Sequence, residues 1–267
     1  MGFCSVMAAF SRSDRVRRRL KTLKFYRNYG EMNVHLLGSI DFCRCLALQE
    51  RLVYESGESA SERVSLLICE HPAVISMGRC GSRAHVGFSD RELESRRIPL
   101  RWVGRGGGAI FHAPGQLAIY PIVSLARSSW SVGEYLRRFR TGVVDACQMA
   151  GLSTRVGENL TVWGRSGALG TIGVAVRYGV TMHGLWLNLN PDMYLTKRID
   201  SLAYLEAKGM LGAGKSHLSS LLSETGRPAK MSQIRSAFLD ALPAAFSAEK
   251  VHVHTGHPLL QTDSLNK

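Results

Sequence analysis

Residues 105–117 read Arg105-Gly106-Gly107-Gly108-Ala109-Ile110-Phe111-His112-Ala113-Pro114-Gly115-Gln116-Leu117. Three consecutive glycines ahead of an apolar run place a bend between strands. There the main chain can approach a ligand closely and offer its amides to an acceptor. Arg105 supplies a fixed cation at the start of the bend, and His112 a polar group beyond it. A glycine-rich bulge that binds nothing has the same pattern, so the stretch alone specifies geometry rather than chemistry.

On either side the chain reads as alternating sheet and helix. Ser39-Ile-Asp-Phe42 opens a helix with Phe42, Cys45, Leu46 and Val53 on one face, and Gly57 stops it. The runs Val64–Cys69 and Ala73–Met77 are short and apolar and predict buried strands, followed by Leu100–Val103 and an interrupted strand over Ala109–Ile122. Ser131-Val-Gly-Glu134 has the spacing of a capping box, and Tyr135, Leu136, Phe139, Val143 and Cys147 continue it at helical period until Gly151. Ile172/Val174/Val176 and Leu185/Leu187/Leu189 alternate with period two and predict a hairpin of half-buried strands, joined through Gly179 and Gly184. Ile234, Phe238 and Leu242 make a last amphipathic helix, which Pro243 ends or kinks. The pattern predicts an α/β (α+β) fold: one domain over 32–255, a basic extension over 1–31 and a tail over 256–267.

Four collinear motifs narrow this further. Arg105-Gly-Gly-x-x-x-x-His112-x-Pro-Gly-Gln-Leu117 resembles the signature of the octanoyltransferases of lipoate biosynthesis, in the lipoate/biotin protein ligase superfamily. Glu70-His-Pro-Ala-Val-Ile-Ser-Met-Gly-Arg79 resembles the strand-turn-strand ahead of that loop. Thr171-Ile-Gly173 through Gly179 to His183-Gly184-Leu-Trp-Leu-Asn188 resembles the family's central hairpin, and Met32–Tyr54 its first strand and helix. The resemblance covers residues 32–245. It implies a single-domain ligase-like fold, a mixed sheet with flanking helices. It also implies acyl-binding positions at Arg105, Gly106, Gly107, Gly108, Ala109, Ile110, Phe111 and His112, at Thr171, Ile172 and Gly173, and at Gly184, Leu185 and Trp186. Trp186 is larger than the small residue usual in the family, which implies a shorter acyl tunnel.

The resemblance implies an acyltransferase that moves octanoyl from octanoyl-acyl carrier protein to a lysine of a lipoyl domain, as in 2-oxoacid dehydrogenases or the glycine cleavage protein. No cofactor and no metal are expected. The family route uses a cysteine thiolate whose pKa a lysine lowers. Here the lysine position is Ala168, and the cysteine position, in Arg198-Ile-Asp-Ser201-Leu202-Ala203, is Leu202. No cysteine follows Cys147, and no lysine lies between Lys24 and Lys197, so realignment supplies neither.

Three readings stand. Transfer survives by a different route: direct attack on an already activated thioester, catalysed by proximity, or a displaced nucleophile at Cys80 with Arg165 as the cation. Alternatively the chain is an inactive homologue that binds an acyl chain or a lipoyl domain. Thirdly, Gly209-Met-Leu-Gly-Ala-Gly214-Lys215-Ser216 matches the phosphate-loop pattern. Such a loop needs a buried strand before it, which Ala203–Lys208 does not provide, so this match is read as coincidental.

The totals sharpen the choice of partners. Of a formal charge of +13, the first 31 residues contribute +6 through eight basic against two acidic groups, and the remaining body only +7. An arm of that kind suits a disordered extension, and its Arg-rich, acid-poor composition is also that of an organellar transit peptide. The body's mild excess suits acidic protein partners rather than nucleic acid. No uncharged apolar run is long enough to span a membrane. Six cysteines without a CxxC spacing predict reduced thiols and a cytoplasmic protein, and Cys43-x-Cys45 is not a zinc spacing. His252, His254 and His257 read as a solvated tail.

Overall fold

The computed structural model describes residues 29–58, 63–157, 159–203 and 218–261. The basic arm up to residue 28 and the phosphate-loop match at Gly209–Ser216 lie outside them.

Strand β1 (Tyr29–Ser39) leads into helix α1 (Phe42–Glu58), where Asp41 accepts the Arg44 amide at 3.0 Å and so satisfies one open donor of the first turn. Strand β2 (Arg63–Glu70) returns parallel to β1. Then come β3 (Val74–Met77), α2 (Asp90–Ser95), β4 (Leu100–Trp102), β5 (Ala109–His112) and β6 (Gln116–Ile122). Ala109–Ile122 is thus not one interrupted strand. It is two, in different sheets, because Ala113-Pro114-Gly115 turns the chain. Gly115 takes φ +88°, gives its amide to Glu70 at 2.7 Å and lies against the Asn190 carbonyl, where a side chain has no room.

The second half contains α3 (Leu125–Ser128), α4 (Val132–Met149), β7 (Arg155–Val156), β8 (Thr161–Trp163), β9 (Ala168–Arg177) and β10 (Val180–Asn188). It ends in α5 (Met193–Thr196), α6 (Leu221–Thr225), α7 (Met231–Ala245), β11 (Ala248–Thr255) and α8 (Pro258–Gln261). Only half of the expected capping box forms on α4. Ser131 Oγ accepts the Glu134 amide at 3.1 Å, but the Glu134 carboxylate turns to Arg137 and Arg138 at 2.6 Å. The complete box is at Ser89/Glu92 on α2. Helix α7 runs two residues past Pro243, in the last turn, where few intrahelical bonds remain to be lost.

Eight strands form one mixed sheet, in the order β11-β1-β2-β6-β10-β9-β8-β7, and β4-β3-β5 form a second. Tyr178 and Gly179, at φ +51° and +73°, make the two-residue turn between β9 and β10, with both central residues left-handed as a type I′ hairpin requires. Gly184, expected in that connection, instead lies within β10, packed on the Ile119 carbonyl of β6. Nor is β10 half-buried. Leu185, Leu187 and Leu189 join the main core with Phe139 and Val143 of α4 and Phe238 and Leu242 of α7, while Met182 and Trp186 join a second core with Leu48 and Leu52 of α1. Both faces of this strand are covered, so every residue of it is buried.

The C-terminal segment does not behave as a free tail. Strand β11 pairs with β1, His257 is buried against His35 at 4.4 Å between ring centroids, and Leu260 packs on the α1 core and accepts a bond from Arg44. His252 and His254 are exposed on β11.

Candidate acyl-binding site

Where β10 passes between β6 and β9, their side chains on the α1 side meet the end of β5 and the loop after α5. This forms a partly open slot with about 340 Å³ of space, counting the solvent at its mouth. Ile110, Phe111, Thr171 and Trp186 line it from the predicted set, together with Leu202. Gln116, Gly170, Asn188, Thr196, Ser201 and Leu218 complete it. The lining joins the apolar Ile110, Phe111, Trp186, Leu202 and Leu218 to five polar side chains, a mixture that suits a small acyl group with a polar head, and it is narrow as it stands.

Period-two alternation divides the predicted residues. Thr171 and Trp186, opposite one another in the β9–β10 ladder, point to the slot. Ile172 and Leu185, one residue along each strand, point to the main core and cannot touch a ligand there. Gly173 and Gly184 contribute by having no side chain. A Cβ on Gly173 would lie 2.7 Å from the Gly106 carbonyl and 3.0 Å from the Trp186 ring.

The carbonyls of the glycine loop tie it to the turn after β3: Gly107 accepts from Cys80, Gly108 from Gly78, and Arg105 from Arg79, at 3.0–3.1 Å. The Gly106 amide donates to Val174. Only Ile110 and Phe111 of the loop-and-strand run reach the slot, with Ala109 in the small core under the second sheet.

Arg105 and His112 stand behind the slot wall rather than in it. Arg105 is fully buried and donates to the Ser76 carbonyl at 2.7 Å, Ser76 Oγ at 2.8 Å and the Gly106 carbonyl at 3.0 Å, with its guanidinium 4.9 Å from the Trp186 ring centre. The hydrogen bonds fix a direction. Gln116 Nε2 donates to the Phe111 carbonyl and Asn188 Oδ1, both at 2.9 Å, so its Oε1 accepts from His112 Nδ1 at 2.8 Å. His112 Nε2 therefore carries the lone pair and accepts from Ser76 Oγ at 2.7 Å. Burial, then the charges of His71 and Arg105, hold the His112 pKa well below its ordinary value. The imidazole is thus neutral and acts as a rigid link that orients Gln116 and Asn188. These two were present in the sequence motifs but had no role there; amides adjacent to a histidine motif at strand ends were the available signal.

Positions 168 and 202 do meet. Ala168, Leu202 and Trp163 form a buried apolar cluster with Leu218 against it. The two places where the resemblance puts a nucleophile and its cation therefore share one cluster, Leu202 at the slot and Ala168 behind it, and both are hydrocarbon. Neither substitute supplies the missing groups. Cys80 is half-buried against the Gly107 carbonyl and is not among the lining residues. Arg165 is exposed and 3.7 Å from Glu224.

The mixed sheet with its flanking helices defines a ligase-like α/β domain. The family model for the lipoyl protein ligase A/B catalytic domain matches residues 41–243, and the chain belongs to that family. It is 38% identical over 189 residues to an octanoyltransferase of Citrifermentans bemidjiense, covering 70% of this chain and 85% of that protein. It is 32% identical over 213 residues to the mitochondrial octanoyl-[acyl-carrier-protein]:protein N-octanoyltransferase of Xenopus tropicalis, covering 79% and 85%. Among solved structures, a bipartite lipoate protein ligase of Thermoplasma acidophilum with its lipoyl domain superposes with a TM-score of 0.68 at 15% identity, over 87% of this chain and 90% of that one. Lipoate-protein ligase A bound with ATP gives 0.64 at 13% identity, over 87% and 91%. At those identities the structures bear on the fold alone.

Proposed function

We propose that the protein transfers an octanoyl group from octanoyl-acyl carrier protein to the lysine of a lipoyl domain, and that it does so directly, without an acyl-enzyme. The observation that carries the second half is the buried cluster of Ala168, Leu202 and Trp163, which leaves hydrocarbon where a thiolate and a cation would stand. The relatives' activity and the retained slot support the first half. In the direct route the lysine amine attacks the thioester carbonyl, the C–N bond forms as the C–S bond breaks, and the departing sulfur takes up the amine proton. Holding the two partners in register supplies the rate, a contribution of up to about 7–11 kcal/mol. Arg105, His112, Gln116 and Asn188 keep the slot wall fixed while Thr171 and Ser201 offer hydroxyls to it. Lipoyl domains of 2-oxoacid dehydrogenases and of the glycine cleavage protein are the acceptors in this reading. The five described cysteines are free thiols, which suits the cytoplasm.

The same apolar cluster is compatible with a second reading, binding without transfer. Mixing the protein with octanoyl-acyl carrier protein and an apo-lipoyl domain, then weighing each protein intact, separates the two. Direct transfer predicts octanoyl on the lipoyl domain, dependent on this protein, and none on this protein. Octanoyl on neither contradicts direct transfer.

A further inference from the structure

On the α1 side of the sheet, one layer behind Trp186, Cys45 of α1, Cys69 of β2 and His71 converge, all buried. The two Sγ atoms are 4.0 Å apart, Cys69 Sγ is 3.7 Å from His71 Nε2, and the three atoms lie within 4.8 Å of one another. A tetrahedral zinc ion with sulfur at about 2.3 Å and nitrogen at about 2.0 Å sets its ligands roughly 3.8 Å apart for S···S and roughly 3.5 Å for S···N. The observed separations of the two bonded pairs match these within a few tenths of an ångström.

The imidazole is oriented for a metal independently of the thiols. His71 Nδ1 is 2.8 Å from the Ile40 carbonyl, which can only accept, so the proton is on Nδ1 and Nε2 carries the lone pair, with Cys69 Sγ 3.7 Å away. A carbonyl bond on the far nitrogen is how metal-ligating histidines are held. Tyr120 Oη lies 2.8 Å from the same Nε2, in reach of a fourth position. Charge selects the ion: two thiolates and a divalent cation sum to zero in a site remote from water, whereas a monovalent ion leaves a buried negative charge.

We propose that Cys45, Cys69 and His71, with Tyr120 as fourth ligand, bind one zinc ion. Binding releases the two thiol protons to solvent, and the Nε2 lone pair passes from the Tyr120 hydroxyl to the metal. The ion would fasten α1 to β2 and β6. Because Trp186 Nε1 donates to Tyr120 Oη at 2.9 Å, it would also set the wall of the slot.

The test is metal content of the full chain, untagged and grown with zinc, after exchange into chelator. The expected result is about one zinc per chain, lost in Cys45→Ser and Cys69→Ser and kept in His252→Ala/His254→Ala, which removes exposed imidazoles. Since a cysteine variant can fail to fold, wild-type protein grown with cobalt in place of zinc supplies a second readout. Thiolate ligation gives an intense sulfur-to-cobalt charge-transfer band in the near ultraviolet. Folded wild-type protein without zinc, zinc retained in both cysteine variants, or cobalt bound without that band overturns the proposal.

Discussion

Leu202 shares a buried apolar cluster with Ala168 and Trp163, with Leu218 against it, and this cluster can be tested by installing what it lacks. If positions 168 and 202 are where a lysine and a cysteine would act, Ala168→Lys/Leu202→Cys installs the pair beside the slot. The expected outcome is a covalent octanoyl adduct on the double variant, seen by intact mass after exposure to octanoyl-acyl carrier protein and absent from wild type. A folded double variant that stays unacylated refutes the placement. Trp186 sets the other limit. Its indole is held by Tyr120 on one side and lies near the tilted His112 ring and Arg105, at 5.4 and 4.9 Å, on the other. Trp186→Ala is expected to cost about 3–5 kcal/mol in stability and to shift the preferred acyl chain to greater length. An unchanged chain-length profile in a folded variant counts against Trp186 as the floor of the slot.

Among the elements, the β9–β10 hairpin was legible where local chemistry decides. Tyr178-Gly179 between alternating apolar runs specifies its own turn. The burial of β10 was not, because α1 and α4 cover it from distant parts of the chain and alternation cannot show a second covered face. The same limit applied to Ile172 and Leu185, whose motif membership concealed that they face the other way from Thr171 and Trp186. Cys43-x-Cys45 drew attention to spacing, yet Cys43 is exposed and Cys45 finds Cys69 and His71 across 24 and 26 residues. Two substitutions test the elements. Gly184→Ala forces a side chain onto the Ile119 carbonyl of the adjoining strand, backbone that cannot swing aside, and is expected to cost about 1–3 kcal/mol or more by denaturant unfolding. Ser131→Ala removes the cap of α4 and should cost about 1 kcal/mol by the same measurement. Equal midpoints for wild type and either variant contradict the packing or the cap respectively.

For the whole molecule, buried imidazoles make stability depend on pH. Burial, with Arg105 and Arg177 adding to it, lowers the His183 pKa to about 3, and burial lowers that of His35 to about 4. Below about 6.5 the unfolded chain takes protons that the folded chain refuses, so the stability is complete above that pH and falls as pH drops toward 4. At pH 5 the loss is about 2 kcal/mol for His183 and less for His35, which lies nearer the surface. Glu134 and Glu224, whose pKa values their arginine and serine partners depress, add a further loss in the carboxylate range, with the same sign. Urea midpoints at pH 7 and pH 5 should differ accordingly; a flat profile contradicts neutral burial of these rings. Among the described residues no helix is long and apolar enough to cross a membrane.

The central claim is that acyl carrier and lipoyl domain meet on this protein at one time. Initial rates of lipoyl-domain octanoylation, with both substrates varied, test it most directly. Direct transfer predicts intersecting reciprocal plots, because neither product can leave before both partners have bound. Parallel plots, the mark of a stored acyl group, or no rate dependent on this protein, would contradict it.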